Sequence, residues 1–266
     1  MDKPLIWVRG AGELGSAIAV TLFRTGFRLF ISELQLPLAI RRTVTFSSAM
    51  FEGESTVEGV RAVLRSDFSP AEQKQNHILT VMLDSPSLSD RFKPDIIVDA
   101  RMLKRGIEDQ TGWAQHVIGL GPGFTAPINC TVLVETNRSH EMGRLIWEGS
   151  AEANTGVPGE LGGATNQRVI YSPGSGELKW NVDFGSMVQQ GETIGLLDER
   201  IPIEATLSGT VRGLISPRVP ITKGLKIADI DPRGSKVNPY LISDKSRSIA
   251  RAVLEAVLII HEQNRN

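Results

Sequence analysis

The segment Gly10-Ala-Gly-Glu-Leu-Gly15 has the residue types and spacing of a phosphate-cradling turn. It follows a short apolar run, Leu5–Val8, and opens a stretch, Leu14–Arg24, in which Leu14, Ile18 and Leu22 fall on one helical face. At this position Gly10 permits a tight turn, Gly12 lets backbone approach a pyrophosphate, and Gly15 lets helix and strand pack closely. Free N–H groups at the start of the helix then face the negative charge. Glu33 closes the second apolar run, Phe27–Ile31, at the interval of about 20 residues where an acid meets a ribose. A carboxylate there suits two ribose hydroxyls and repels a 2′-phosphate, so an NAD-type dinucleotide is favoured over NADP. The competing reading is a domain of the same kind whose site has lost its ligand. Arg9 faces either a phosphate or an acidic neighbour, and the spacing leaves both open.

Other polar groups lie just beyond apolar runs, where open α/β sheets place their ligands. Asp99 and Arg101 follow Ile96–Val98, while Lys104 and Arg105 read as a solvated face. Gly119, Gly121 and Gly123 follow Val117–Ile118 and form either an anion-binding concavity or a plain Gly-Pro-Gly turn. Glu135, Asn137 and Arg138 follow Thr131–Val134. They either orient a polar ligand or form a capped turn into a helix around Met142–Trp147. No nucleophile–base pair stands out, so no catalytic residue is assigned. The four histidines, His77, His116, His140 and His261, lack metal-ligand spacing, and no metal site is expected. Cys130 is the sole cysteine; it lies in an expected strand, which favours a buried, inert thiol.

The elements that must position these groups alternate between short apolar runs and helical patterns. Val57–Leu64 and Ile78–Leu83 read as further strands, with a helix starting near Ser69. The alternation predicts an α/β, Rossmann-like nucleotide-binding domain over residues 1–148. Residues 149–168, rich in glycine and small polar residues, are a linker or a ligand-contacting loop. Residues 169–266 carry an internal repeat at an offset of 33: Gly176, Leu178, Val188, Gly191, Ile194, Leu197 and Asp198 match Gly209, Val211, Ile221, Gly224, Ile227, Ile230 and Asp231. The repeat resembles the duplicated lipoyl/biotinyl-like (barrel-sandwich hybrid) motif. The connection Leu197–Ser208 holds no lysine for a swinging arm. A terminal helix over Ser246–Glu262, with Ile249, Val253, Val257 and Ile260 on one stripe, packs within the fold or forms a homo-oligomer contact.

With 29 basic and 30 acidic residues, the chain has no charge excess to draw nucleic acid or an anionic membrane. No apolar run reaches the roughly 20 residues of a membrane span, and the first residues run straight into a strand pattern without a signal-like segment. A cytoplasmic location is the expectation.

The motifs RGAGELGSAIAVTLFRTGF, DARMLKRG, VIGLGPGF, VETNRSHEMGR, NTGVPGE and KIADIDPRG together resemble the YqeB-like accessory proteins of selenium-dependent molybdenum hydroxylases. The resemblance implies a maturation factor for an enzyme of the xanthine dehydrogenase kind, assisting cofactor processing or insertion. Its partners would be the molybdenum hydroxylase or other maturation factors, and its ligand a nucleotide-containing cofactor such as a molybdopterin nucleotide. Carried over position by position, it adds Asn154, Thr155 and Gly156 to Gly10, Gly12, Gly15, Asp99, Arg101, Gly121, Gly123, Asn137 and Arg138. Sulfur-handling relatives rely on reactive cysteines, so a chain with Cys130 alone is a poor direct sulfur relay. An NAD-dependent oxidoreductase and a non-catalytic scaffold with an empty nucleotide site are the rival readings.

Overall fold

The computed structural model describes residues 3–153, 163 and 165–264. The chain divides into two compact units that interleave in sequence. Unit 1 takes Met1–Gln35, Thr45–Thr155 and Ile242–Asn266, and unit 2 takes Leu36–Val44 and Gly156–Leu241.

Unit 1 is built from β1 (Leu5–Arg9), α1 (Glu13–Arg24), β2 (Arg28–Glu33), α2 (Ala49–Glu52), β3 (Glu54–Val57) and β4 (Val60–Leu64). It continues with α3 (Pro70–Asn76), β5 (Ile78–Leu83), α4 (Ser87–Phe92), β6 (Ile96–Asp99), β7 (His116–Leu120) and β8 (Thr125–Ala126). It ends with β9 (Val132–Val134), β10 (Leu145–Ile146), β11 (Gly149–Ser150) and the terminal helix, Asp244–Gln263. Nine strands form one sheet in the order β10-β9-β7-β6-β1-β2-β5-β4-β3. The seven central strands are parallel. β3 and β10 close the two edges antiparallel. Central strands such as β6 are buried at every residue, which is why they read as unbroken apolar runs.

Trp7, Phe30, Phe68, Met82, Leu88 and Ile97 form one packed cluster, with Trp7 stacked between Phe30 at 5.8 Å and Trp113 at 6.1 Å. α1 packs on β1 and β2. The terminal helix packs on α1, β7 and β9, burying Ile249, Val253, Val257 and Ile260.

In unit 2, β12 (Val169–Tyr171), β13 (Leu178–Trp180), β14 (Met187–Val188), β15 (Thr193–Leu197), β16 (Ile201–Glu204), β17 (Gly209–Leu214) and β18 (Lys226–Asp231) form two sheets, β12-β18-β17-β14 and β13-β15-β16. The matched Gly and Asp of the repeat meet in both copies. A Cβ on Gly176 would fall 2.4 Å from the Asp198 carboxylate, and one on Gly209 would fall 2.3 Å from the Asp231 carbonyl oxygen. The two aspartates of the KIADID segment are structural. Asp229 accepts from Arg168 at 2.6 Å and from Arg212 at 2.8 Å, and Asp231 accepts from Arg233 at 2.9 and 2.7 Å.

This architecture corrects the expected one. The chain does not build a Rossmann-like domain followed by a lipoyl/biotinyl-like barrel carrying the terminal helix. The first sheet is mixed, and its connecting helices α2, α3 and α4 have only four, seven and six residues. The repeat is distributed over sheets of four and three strands, and the terminal helix belongs to unit 1. Short apolar runs carry no signature of strand direction, so alternation alone could not separate a mixed sheet from a doubly wound one. Two local readings change as well. Val57–Leu64 is a hairpin, turned at Glu58 (φ 45°) and Gly59 (φ 81°), the two positive φ values that a tight strand-to-strand turn requires. The segment around Met142–Trp147 contains strand β10 in place of a helix.

Candidate functional site

β2, β1, β6, β7 and β9 are consecutive in the sheet and parallel. The residues that follow them therefore converge on one edge. There the structure brings together the turn after β1, Glu33, the Asp99–Arg101 segment, the glycine turn after β7 and the Glu135–Arg138 segment. Asn154, Thr155 and Gly156 lie outside the described residues.

The three glycines of the first turn have separate reasons. Gly10 has φ +96°, and a Cβ there would press on the backbone of Ala100 and Arg101 at 3.1 Å. A Cβ on Gly15 would fall 1.8 Å from the Gly10 carbonyl oxygen, so the first turn of α1 lies directly against the preceding loop. Gly12 caps α1, and nothing lies within 4 Å of where its Cβ would be. The start of the helix is thus open to an approaching group. Glu33 clamps this turn: one carboxylate oxygen accepts the Ala11 N–H at 2.8 Å, the other the Leu34 N–H at 2.8 Å. Burial raises the Glu33 pKa, and these two hydrogen bonds oppose that rise.

Arg9 is the buried centre of a part-buried ladder of ion pairs. Its guanidinium is 1% exposed and lies 5.0 Å from the ring centroids of both Trp7 and Trp113. It donates to Asp84 at 3.2 and 2.7 Å and to Glu108 at 2.7 Å. Glu108 also accepts from Arg101 at 2.9 and 3.0 Å, and Arg101 is bidentate to Asp99 at 3.0 and 2.5 Å. Gln110 donates to Asp99 at 2.7 Å. Burial works against the Arg101 charge, yet Asp99 and Glu108 hold it protonated above its ordinary value. Burial would raise Glu108 too, but hydrogen bonds from Arg101 and Arg9 pull it down to about 2. Of the two readings of Arg9, the acidic neighbour is the one the fold supplies.

The loops after β6, β7 and β9 close on one another through glycine. Gly121 (φ +66°) leaves room for the Thr136 hydroxyl, 2.4 Å from its would-be Cβ, and Gly123 (φ +105°) for the Ile107 side chain and the Lys104 carbonyl group. Glu135 is 1% exposed and accepts the N–H groups of Thr136 (2.6 Å), Asn137 (2.7 Å) and Glu152 (2.7 Å), so it shapes the loop. Asn137 donates to the Glu152 carboxylate. Arg138 is bidentate to Asp244 at 2.8 Å, which ties the loop after β9 to the start of the terminal helix, α5.

Lys245, in the first turn of α5, carries no motif and the sequence gives no reason to single it out. It is half-buried, and burial lowers its pKa. The positive charges of Arg138 and Lys104 lower it further, while Glu13 and Glu135 oppose the shift. Among the described residues Lys245 has no hydrogen-bond or ion-pair partner. Three cations thus converge where the loops after β6 and β9 meet α5. Cys130 is buried at 1% exposure outside any strand, and its thiol is pushed up to about 11 by burial. Among the described residues no group of His, Cys, Asp and Glu is placed to hold a metal ion, and no helix is long and apolar enough to cross a membrane.

No family model matches the chain. Among solved structures it is similar to the ectoine utilization protein EutE (DoeB) of Ruegeria pomeroyi, at 14% identity over 87% of this chain and 86% of that one, with a TM-score of 0.27. It is also similar to a succinylglutamate desuccinylase/aspartoacylase of Rhodobacter sphaeroides, at 15% identity over 86% and 85%, with a TM-score of 0.28. No substrate or residue role is carried over from either. In sequence, 261 residues, 97% of the chain, align at 41% identity with the uncharacterized protein YqeB of Escherichia coli K12 and cover 48% of it. Over nearly its whole length the chain is similar to YqeB, and it spans about half the length of that relative.

Proposed function

We propose that the chain is an accessory protein for maturation of a selenium-dependent molybdenum hydroxylase of the xanthine dehydrogenase type, and that unit 1 holds a nucleotide-containing cofactor at the strand-end edge. The motif resemblance supports the first part. The second rests on one observation: the open helix start at Gly12 shares an edge with a half-buried lysine that has no hydrogen-bond or ion-pair partner among the described residues and lies near two further cations. Burial and the neighbouring positive charges both disfavour the lysine's charge, and an anion bound beside it relieves both. A pyrophosphate is the anion common to NAD-type dinucleotides and molybdopterin dinucleotides. In this reading α1 and Lys245 hold the phosphates, and the clamped loops after β7 and β9 shape the remaining wall. Metal or redox chemistry, where it occurs, belongs to the bound cofactor and the partner hydroxylase.

The test is mass spectrometry of the protein taken from cells, under native and then denaturing conditions. Release of a dinucleotide is the expected result. The reading fails if no small molecule is released and if ADP, NAD+ and a molybdopterin dinucleotide, each at millimolar concentration, leave Tm unchanged. The partner half is tested separately by co-purification with a tagged molybdenum hydroxylase.

A further inference from the structure

The opposite end of the same sheet holds a cavity of about 890 Å³, within the range of small-molecule sites. Its walls come from the segments just before β1, β2, β4 and β5, so it lies at the strand N-termini. β2 has six residues, which puts about 20 Å between this cavity and the turn that follows Glu33.

The cavity is apolar at its base and basic at its rim. Phe23, Phe27 and Val60 line it beside Lys3, Arg24, Arg28, Lys74 and His77, with Glu58 as the sole acid among the lining residues. Glu58 is already engaged by Arg247 and lies 3.8 Å from Arg24. Among the described residues Lys3, Arg28 and Lys74 have no carboxylate partner. Lys3 donates to the Thr25 carbonyl and sits 4.8 Å from the Phe27 ring centroid, and Arg28 donates to the Lys3 carbonyl at 3.0 and 2.5 Å. Backbone carbonyls accept hydrogen bonds but leave the net charge in place. Lys74 and His77 have no hydrogen-bond or ion-pair partner among the described residues.

We propose that this cavity is a second binding site, for a small anion with an aromatic or aliphatic body. The body lies on Phe23, Phe27 and Val60, while its carboxylate, phosphate or sulfonate meets Arg28 and Lys74. Hydrogen bonds to charged groups contribute roughly one to two powers of ten in affinity.

The test uses the full chain and two fluorescent probes that share an aromatic body, anionic 1-anilinonaphthalene-8-sulfonate and neutral N-phenyl-1-naphthylamine. The anionic probe is expected to bind saturably, at least tenfold tighter than the neutral one, and to protect residues 70–77 from hydrogen exchange. Arg28→Glu with Lys74→Glu is expected to weaken it at least tenfold, and Lys245→Gln, at the other end of the sheet, to leave it unchanged. Lys74→Glu alone, on an exposed side chain, keeps the test valid if the double variant unfolds; it should weaken the probe at least threefold. Equal affinity for the two probes, or wild-type affinity in a folded Lys74→Glu variant, overturns the proposal. Loss of binding in Lys245→Gln would place the probe at the strand-end edge and overturn it equally.

Discussion

The α-carbon of Gly15 faces the carbonyl oxygen of Gly10 so closely that a methyl group on it would lie 1.8 Å from that oxygen. The obstacle is backbone, which no rotamer change relieves. Gly15→Ala should therefore destabilise unit 1 by about 2–4 kcal/mol, in the range of severe overpacking. Gly12→Ala should cost less than about 1 kcal/mol, because φ is −64° and nothing lies within 4 Å. Its methyl enters the space in front of α1, so affinity for ADP should fall while Tm holds. Urea unfolding of the two variants decides the matter, and equal losses of stability would mean that the glycines do not divide the work in this way.

Arg9 supports a second prediction. Its guanidinium makes three hydrogen bonds, two to Asp84 and one to Glu108, and its face is covered by Trp7 and Trp113. Arg9→Met keeps the apolar bulk but leaves Asp84, 12% exposed, without its counter-charge, while Glu108 keeps Arg101. Breaking such a pair costs about 3–5 kcal/mol. Arg9→Lys should recover only part of this, since one ammonium cannot serve both acids with the same fork geometry. A urea midpoint for Arg9→Met within error of wild type would show that the ladder adds no net stability.

Glu108 gives a pH signature. Its folded pKa, about 2, lies below the ordinary value of 4.5. The folded protein thus binds fewer protons at this site than the unfolded chain does. The stability it contributes is complete above about pH 4.5 and is lost as the pH falls towards 2. Glu108→Gln should lower Tm at pH 7 and flatten the acid limb of the Tm–pH curve between those values. A variant curve parallel to wild type down to pH 2 would exclude this role. The side chain is more than a third exposed, so screening by salt reduces the effect.

What the sequence made legible follows from how local each signal is. The Gly10–Gly15 turn, α1, the Ser69 cap of α3 and the apolar stripe of α5 are written within a few consecutive residues, and all four are where the pattern places them. Strand direction, the mixed sheet and the return of α5 to unit 1 are set by pairings between distant segments and have no local signature. The site divides in the same way. Glycines announce a turn by their spacing, whereas Asp84 and Glu108 reach Arg9 across 75 and 99 residues. Lys245 is hidden for a further reason: on a helix with an apolar stripe, a lysine in the first turn reads as a solvated face. Only the fold shows Lys104 and Arg138 beside it.

Lys245 yields the prediction that most directly separates binding from stability. Its folded pKa is lowered, so the folded state holds its proton less tightly than the unfolded chain does. Below the folded pKa the charged lysine therefore destabilises the fold, and the penalty disappears as the pH rises through that value. Lys245→Met removes the charge and keeps the apolar stem, so it should raise Tm at pH 7 in the absence of ligand. The same change removes a cation from the anion site and should weaken ADP and inorganic pyrophosphate at least tenfold, as expected for loss of a charge-assisted hydrogen bond. Tm is measured with and without pyrophosphate. Wild type should gain more from the anion than Lys245→Met does, so the two Tm values converge or cross as pyrophosphate is added. If both proteins gain equally, Lys245 is a packing residue and the anion lies elsewhere along the edge.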